Sequence, residues 1–199
     1  MLRSQLLPVP VVFLPGILMP VAVRYRALLG ALGGDARPVL KEPEVYGGPS
    51  VPPPGYSLKA ELDGIADAAD AAGLEAFHLY GHSGGGACAL AFSVLHPERV
   101  LSLAMDEPAT DFDAEDLRRM CEANLPMLEL PPDELVRAFT RLLVRSDLEP
   151  PPPPDGPPPP WMSTRPPGIS AFIRALVDST CRSIASATSA GPPTTATGA

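Results

Sequence analysis

The chain has 199 residues with 15 basic and 23 acidic side chains, a formal net charge of −8. That balance excludes nucleic-acid or anionic-membrane binding as the main task, because phosphate recognition needs a cationic face. Apolar residues make up 45 % of the chain, enough for one core, while proline is in excess at 28 residues beside 17 glycines. Pro150 to Pro160 holds nine prolines in eleven positions, so a compact domain has to be built mostly before residue 150. Cys88, Cys121 and Cys181 form no CxxC pair, which excludes a disulfide framework and a zinc knuckle and favours a reducing compartment. The first apolar run is cut by Pro8 and Pro10, unlike a signal peptide, and no run approaches the ~18 residues of a membrane span. The expectation is a soluble cytoplasmic protein.

In chain order, Val9 to Leu14 is a β-branched apolar run closed by Pro15-Gly16, a buried strand and a turn. Arg24 to Leu32 predicts a helix, and Pro38 to Leu40 a second short strand. Prolines and glycines enforce a loop between Glu42 and Tyr56. Ser57 then reads as the N-cap of a helix over Leu58 to Ala72 whose apolar face is Leu58, Leu62, Ile65, Ala69 and Ala72. Ala76 to Tyr80 predicts a strand, residues 81–86 a glycine-rich turn, Ala87 to Leu95 a helix stopped by His96-Pro97, and Val100 to Met105 another strand. Strands alternating with helices imply crossover connections and a parallel sheet, an α/β core. Beyond residue 110 the pattern is helical only, over Ala114 to Ala123, Pro132 to Arg145 and Ile169 to Val177. From Ser179 the chain is almost all Ser, Thr, Ala, Gly and Pro, a composition that buries too little apolar surface to order itself.

The informative segment is Gly81-His82-Ser83-Gly84-Gly85, a G-x-S-x-G between a strand and an alanine-rich helix. A serine on so tight a turn needs small neighbours two positions before and after it, and both are glycine. The turn lifts the Ser83 hydroxyl above the carboxyl ends of the strands, and the helix N-terminus behind it offers free N–H groups to a developing oxyanion.

Here the chain resembles the α/β-hydrolase superfamily, over roughly Val9 to Ala109. Val11 to Gly16 looks like the strand and turn that normally end in His-Gly, Gly81 to Gly85 like the nucleophile elbow, and His96-Pro97-Glu98-Arg99-Val100 like the link into the next strand. The resemblance implies a hydrolase of a small-molecule substrate, an apolar ester or amide, that uses no cofactor or metal, with Ser83 as nucleophile, the N–H groups of Ile17 and Gly84 as oxyanion hole, and a helical cap after residue 111. Pro15 stands where the family has histidine, which spares a backbone donor. The family's general base should lie far downstream of Ser83, yet no histidine follows His96. His78 lies about 16 Å upstream along the strand and His96 about 20 Å along the helix. His82 is adjacent, but neighbouring side chains at a sharp turn diverge, so all three read as packing residues, His82 at the base of the site. Asp106 suits the minority of members that place the acid directly after this strand, and otherwise reads as a turn residue.

The expected architecture is an α/β-hydrolase parallel-sheet core over residues 1–110, a helical cap segment with a polyproline connection over 111–177, and a disordered tail over 178–199. The strands that should open and close the sheet are missing from the pattern. A truncated or frame-shifted chain whose genuine sequence ends near Val177 accounts for this, and translating the neighbouring DNA in the other frames tests it. Two other readings compete. Gly84-x-Gly86-x-x-Ala89, with Asp106 ending the next strand, fits a loose dinucleotide-binding pattern, and Pro150 to Pro160 fits a polyproline II ligand of a non-catalytic interaction protein.

Overall fold

The computed structural model describes residues 8–110, 113–149 and 156–189. Four strands, β1 (Val9–Leu14), β2 (Ala36–Leu40), β3 (Phe77–His82) and β4 (Val100–Asp106), form one sheet in the order β2-β1-β3-β4, every neighbouring pair parallel. Among the described residues seven α-helices accompany it: α1 (Val21–Arg24), α2 (Arg26–Leu32), α3 (Leu58–Ala71), α4 (Gly84–Leu95), α5 (Ala114–Asn124), α6 (Pro132–Leu142) and α7 (Arg165–Ser189). Parallel pairing forces the chain back over the sheet after each strand, so helices cover both faces and the central strands carry apolar residues in both directions. One face packs Phe13 with Val21, Tyr25 and Tyr80. The other packs Val12, Leu14, Phe77 and Leu79 with Ile65 of α3, Phe92 of α4 and Ile169, Phe172 and Ile173 of α7.

Several sequence expectations are corrected. The helix expected over Arg24 to Leu32 is two short helices, broken at Tyr25 (φ −100°, ψ 5°). Tyr25 turns inward there, and its hydroxyl donates to the Leu14 carbonyl at 2.6 Å. Strand β2 begins at Ala36 because its pairing with β1 starts at Val9. Ser57 stands at the N-cap of α3 but makes no side-chain capping bond; the expected face of Leu58, Leu62, Ile65, Ala69 and Ala72 does pack on the core, with Glu61 and Gly64 buried beside it. Glu61 is buried because it holds a loop, accepting from Glu44 N (2.8 Å), Val45 N (3.1 Å) and the Tyr56 hydroxyl (2.7 Å).

Helix α4 starts at Gly84 rather than Ala87, with Gly86 N and Ala87 N both bonding to Ser83 O. Close packing against Leu14 and Pro15 overrides the poor helix propensity of its glycines. The stretch expected to be disordered from residue 178 continues α7 through Ser189. Pro166 and Pro167 sit in the first turn, where a missing N–H costs nothing, and buried Ile169, Phe172, Ile173 and Val177 anchor the helix, so an alanine- and serine-rich extension adds residues to an existing nucleus. Residues 190–199 lie outside the described residues, as do 150–155 of the polyproline run. No helix among the described residues is long and apolar enough to cross a membrane.

Candidate active site

The site grows from the end of β3. Ser83 has φ 51° and ψ −121°, a backbone conformation that costs a non-glycine residue about 1–3 kcal/mol. Four main-chain bonds hold it there: Ser83 N donates to Asp106 O (3.0 Å), and Ser83 O accepts from Gly86 N (2.9 Å), Ala87 N (3.1 Å) and Ala109 N (2.9 Å). The turn closes because Gly81 has no side chain; a Cβ there would stand 2.6 Å from Gly85 O. Gly85 has the same role against β1, since a Cβ on it would collide with the main chain of Leu14 and Pro15.

Sequence-predicted residues converge around this serine. Ile17 and Gly84 touch, a Cβ on Gly84 meeting Ile17 Cγ2 at 3.2 Å, and both line one cavity with Ser83. Among the described residues neither Ile17 N nor Gly84 N has a hydrogen-bond partner, and Ser83 Oγ makes no hydrogen bond. Two spaces open at the serine. One is an apolar cavity of about 60 Å³ bounded by Met120 of α5, Phe139 of α6, and Phe172, Ile173 and Leu176 of α7. The other is an open cleft of about 310 Å³ bounded by Met19, Arg24, His82, Glu107 and Leu143. Phe139 borders both.

The polar wall of the cleft is a three-residue cluster. His82 and Asp106 are register partners at the ends of β3 and β4, and His82 Nδ1 lies 3.2 Å from Asp106 Oδ2 and 3.1 Å from Asp106 O. Arg24 Nη2 donates to Asp106 Oδ2 at 2.8 Å and lies 3.2 Å from His82 Nδ1. Asp106 thus holds His82, which the sequence places at the base of the site, but that imidazole is not hydrogen-bonded to Ser83. The other two histidines are engaged elsewhere, His78 with Ser102 Oγ (2.7 Å) and His96 against the Phe92 ring (4.7 Å). His82, Asp106 and Glu107 offer three ligand atoms within 4.8 Å of one another, the only such metal-compatible group among the described residues. Arg24 already occupies the Asp106 carboxylate, so a cation there would meet a guanidinium.

The glycine pattern Gly84-x-Gly86 does not leave its backbone open to a pyrophosphate. A Cβ on Gly84 would stand 2.7 Å from the Phe172 ring and one on Gly86 2.9 Å from Pro108, so these glycines serve internal packing. The sequence reading missed Arg24, Phe139 and Tyr46. The positions of strand ends could have paired His82 with Asp106; no local signal marks the others.

The family model described as alpha/beta hydrolase fold matches residues 45–129, across the 44–46 turn, α3, the Ser83 turn, α4 and β4. The chain has the α/β-hydrolase fold. Among solved structures of that fold it is similar to a hydrolase from Pseudomonas aeruginosa PA01, at 20 % identity and a TM-score of 0.59, over 86 % of this chain and 64 % of that one. It is also similar to an alpha/beta hydrolase fold protein from Burkholderia ambifaria (16 %, 0.51, over 85 % and 63 %). A third similarity is to a structure described as novel epoxide hydrolases of the same superfamily from metagenomes of hot environments (15 %, 0.53, over 84 % and 62 %). This α/β-hydrolase-fold chain spans less than two thirds of the length of each of the three. A search of curated proteins finds no match.

Proposed function

We propose that this chain is a serine hydrolase of small apolar esters or amides, with Ser83 as nucleophile and the N–H groups of Ile17 and Gly84 as oxyanion donors. The observation that carries the reading is Ser83 in its left-handed turn, with two N–H groups beside it that have no partner among the described residues and a space on either side. Ser83 Oγ bonds to the substrate carbonyl carbon, and the carbonyl electron pair moves onto oxygen, where the two N–H groups stabilise it. The tetrahedral species then collapses, breaking the bond to the alcohol or amine leaving group, and water later cleaves the acyl-serine. The apolar cavity takes the acyl chain, and the cleft beside Arg24 and Glu107 takes the polar leaving group and the attacking water.

No imidazole of this chain receives the serine proton, so it passes to water. The reaction therefore runs at the level left when a triad loses its base, about 10³–10⁴ above the uncatalysed rate. Asp106 acts here as the partner of Arg24 and His82 rather than as a triad acid. Hydrolysis of p-nitrophenyl butyrate and labelling by a fluorophosphonate, each compared with Ser83→Ala, test the proposal. The expected result is a slow, mass-verified adduct on Ser83 that disappears in the variant together with esterase activity. Equal rates in the two proteins would overturn it.

A further inference from the structure

The segment that carries Ile17, residues 15–20 between β1 and α1, is tied down by groups far away in sequence. The Tyr46 hydroxyl donates to Ile17 O at 2.6 Å, and Glu42 Oε2 accepts from Val21 N at 2.7 Å, so the segment is held in its middle and at its end. Both holding residues meet Arg165, the first residue of α7. The Arg165 guanidinium carbon lies 3.8 Å from the centroid of the Tyr46 ring, and Nη2 lies 3.4 Å from Glu42 Oε1. Tyr46 is further fixed one turn along α7, since its ring packs on Gly168, where any Cβ would collide with it.

This arrangement is costly. Arg165 is 2 % exposed, and its Nε and Nη1 have no hydrogen-bond partner among the described residues. A buried cation with unsatisfied donors loses free energy that an apolar side chain would not. What it gains here is orientation: the cation over the ring and the carboxylate at its edge fix two side chains whose other ends grip the Ile17 segment. Burial raises the Tyr46 phenol above its ordinary value, so the hydroxyl stays protonated and remains a donor.

We propose that Tyr46 is a positioning residue for the oxyanion hole, holding Ile17 so that its N–H faces the oxygen bound at Ser83, with Arg165 of α7 and Glu42 of the loop after β2 locking that grip. The Ile17 side chain is already set by its contact with Gly84, and the Tyr46 bond fixes the carbonyl, leaving the N–H as the polar group of the residue without a partner among the described residues. The proposal rests on the reading of Ser83 as nucleophile and Ile17 as donor. Loss of a whole oxyanion donor costs about 10²–10³ in rate, so loosening one without deleting it is expected to cost about tenfold.

The test is the saturation kinetics of Ser83 phosphonylation in the full chain, which separates the maximal rate kinact from the half-saturating concentration KI. In Tyr46→Phe the ring that Arg165 covers is kept and only the hydroxyl is lost. Expected are a kinact lower by about tenfold and a KI within about twofold of wild type. Tyr25→Phe is the control, because it deletes another buried phenol-to-carbonyl bond, Tyr25 to Leu14 O at 2.6 Å, outside the Ile17 segment. It should lose comparable stability in a thermal melt with kinact unchanged. Wild-type kinact in Tyr46→Phe, or an equal fall in both variants, would overturn the positioning role while leaving Ser83 as nucleophile. Absence of any Ser83 adduct in wild type would instead overturn the nucleophile reading, and this inference with it.

Discussion

Arg24 and Asp106, 82 positions apart, meet at 2.8 Å through Nη2 and Oδ2, and His82 Nδ1 lies 3.2 Å from each of those atoms. The pair joins α1 to the end of β4 directly beneath the cleft. Its side chains are 34 % and 39 % exposed, which places it with surface ion pairs rather than buried ones. Water screens the attraction and long side chains lose freedom in forming it. Asp106→Asn is therefore expected to cost less than about 1 kcal/mol in urea denaturation, and the difference from wild type should vanish in 1 M salt.

Glu61 is a different case. It is 4 % exposed and accepts from two main-chain N–H groups and one phenol, all in or near the 44–46 turn that presents Tyr46. Glu61→Ala strands three donors in the interior and opens a cavity. With each unsatisfied group costing about 1–3 kcal/mol and partial rescue by water, the expected loss is about 2–4 kcal/mol. Chemical denaturation measures it, and a loss below about 1 kcal/mol would show that the turn does not depend on this carboxylate.

The contrast explains what could be read from residues alone. Ser83 and the glycines around it were legible because the chemistry of a tight strand-to-helix turn is local: the residues that must be small lie two positions from the residue that must be exposed. The strands were legible because β1, β3 and β4 are compact apolar runs. Arg24 with Asp106, Tyr46 with Ile17, and Arg165 with Glu42, 123 positions apart, leave no local trace, since each side chain is ordinary in its own segment and gains its role only when the sheet closes. The run of α7 through Ser189 was missed for a related reason. Composition measures what a segment buries alone, whereas the anchored turns before it had already met the cost of nucleation.

All four tyrosines, Tyr25, Tyr46, Tyr56 and Tyr80, have phenols raised above the ordinary value of 10.0, in each case chiefly by burial. For Tyr56 the neighbouring Glu61 carboxylate adds to the shift. A raised phenol keeps its proton in the folded protein after the unfolded chain has released its own. Its contribution to stability is therefore complete below pH 10 and is lost as pH climbs from there toward the folded value. For the nearly inaccessible Tyr25, the slope approaches about 1.4 kcal/mol per pH unit. Absorbance at 295 nm is expected to show tyrosinate appearing together with the loss of near-ultraviolet circular dichroism. Full ionisation with intact dichroism would contradict it.

Glycine substitutions should divide sharply by place. Gly30, exposed in α2, has nothing within 4 Å of where a Cβ would go, so Gly30→Ala is expected to stabilise by about 0.5–1 kcal/mol through lower chain entropy. In Gly85→Ala the new methyl would strike the main chain of Leu14 and Pro15, pushing α4 away from β1 and the Ile17 segment. Thermal melts of the two variants should shift in opposite directions. Gly85→Ala should also lose Ser83 labelling under conditions where it is still folded, because the serine and the Ile17 N–H separate.

Phe139 stands where the two spaces of the proposed reaction meet. It is the side chain of α6 that borders both the apolar cavity of about 60 Å³ and the open cleft of about 310 Å³, with Ser83 at their junction. A cavity of about 60 Å³ accommodates a short acyl chain, so acetyl and butyryl esters are the expected fit and longer chains are not. Phe139→Ala removes the ring between the two spaces, joining them without touching Ser83, Ile17 or Gly84. Among p-nitrophenyl esters of two to twelve carbons, the preferred chain length should therefore move upward, with kcat/KM for long chains rising while that for acetate falls. Removing the ring also enlarges the space around the serine, so part of the gain in length is offset by looser positioning. An unchanged chain-length profile in Phe139→Ala would mean that the acyl chain occupies neither space and enters from another side of the turn.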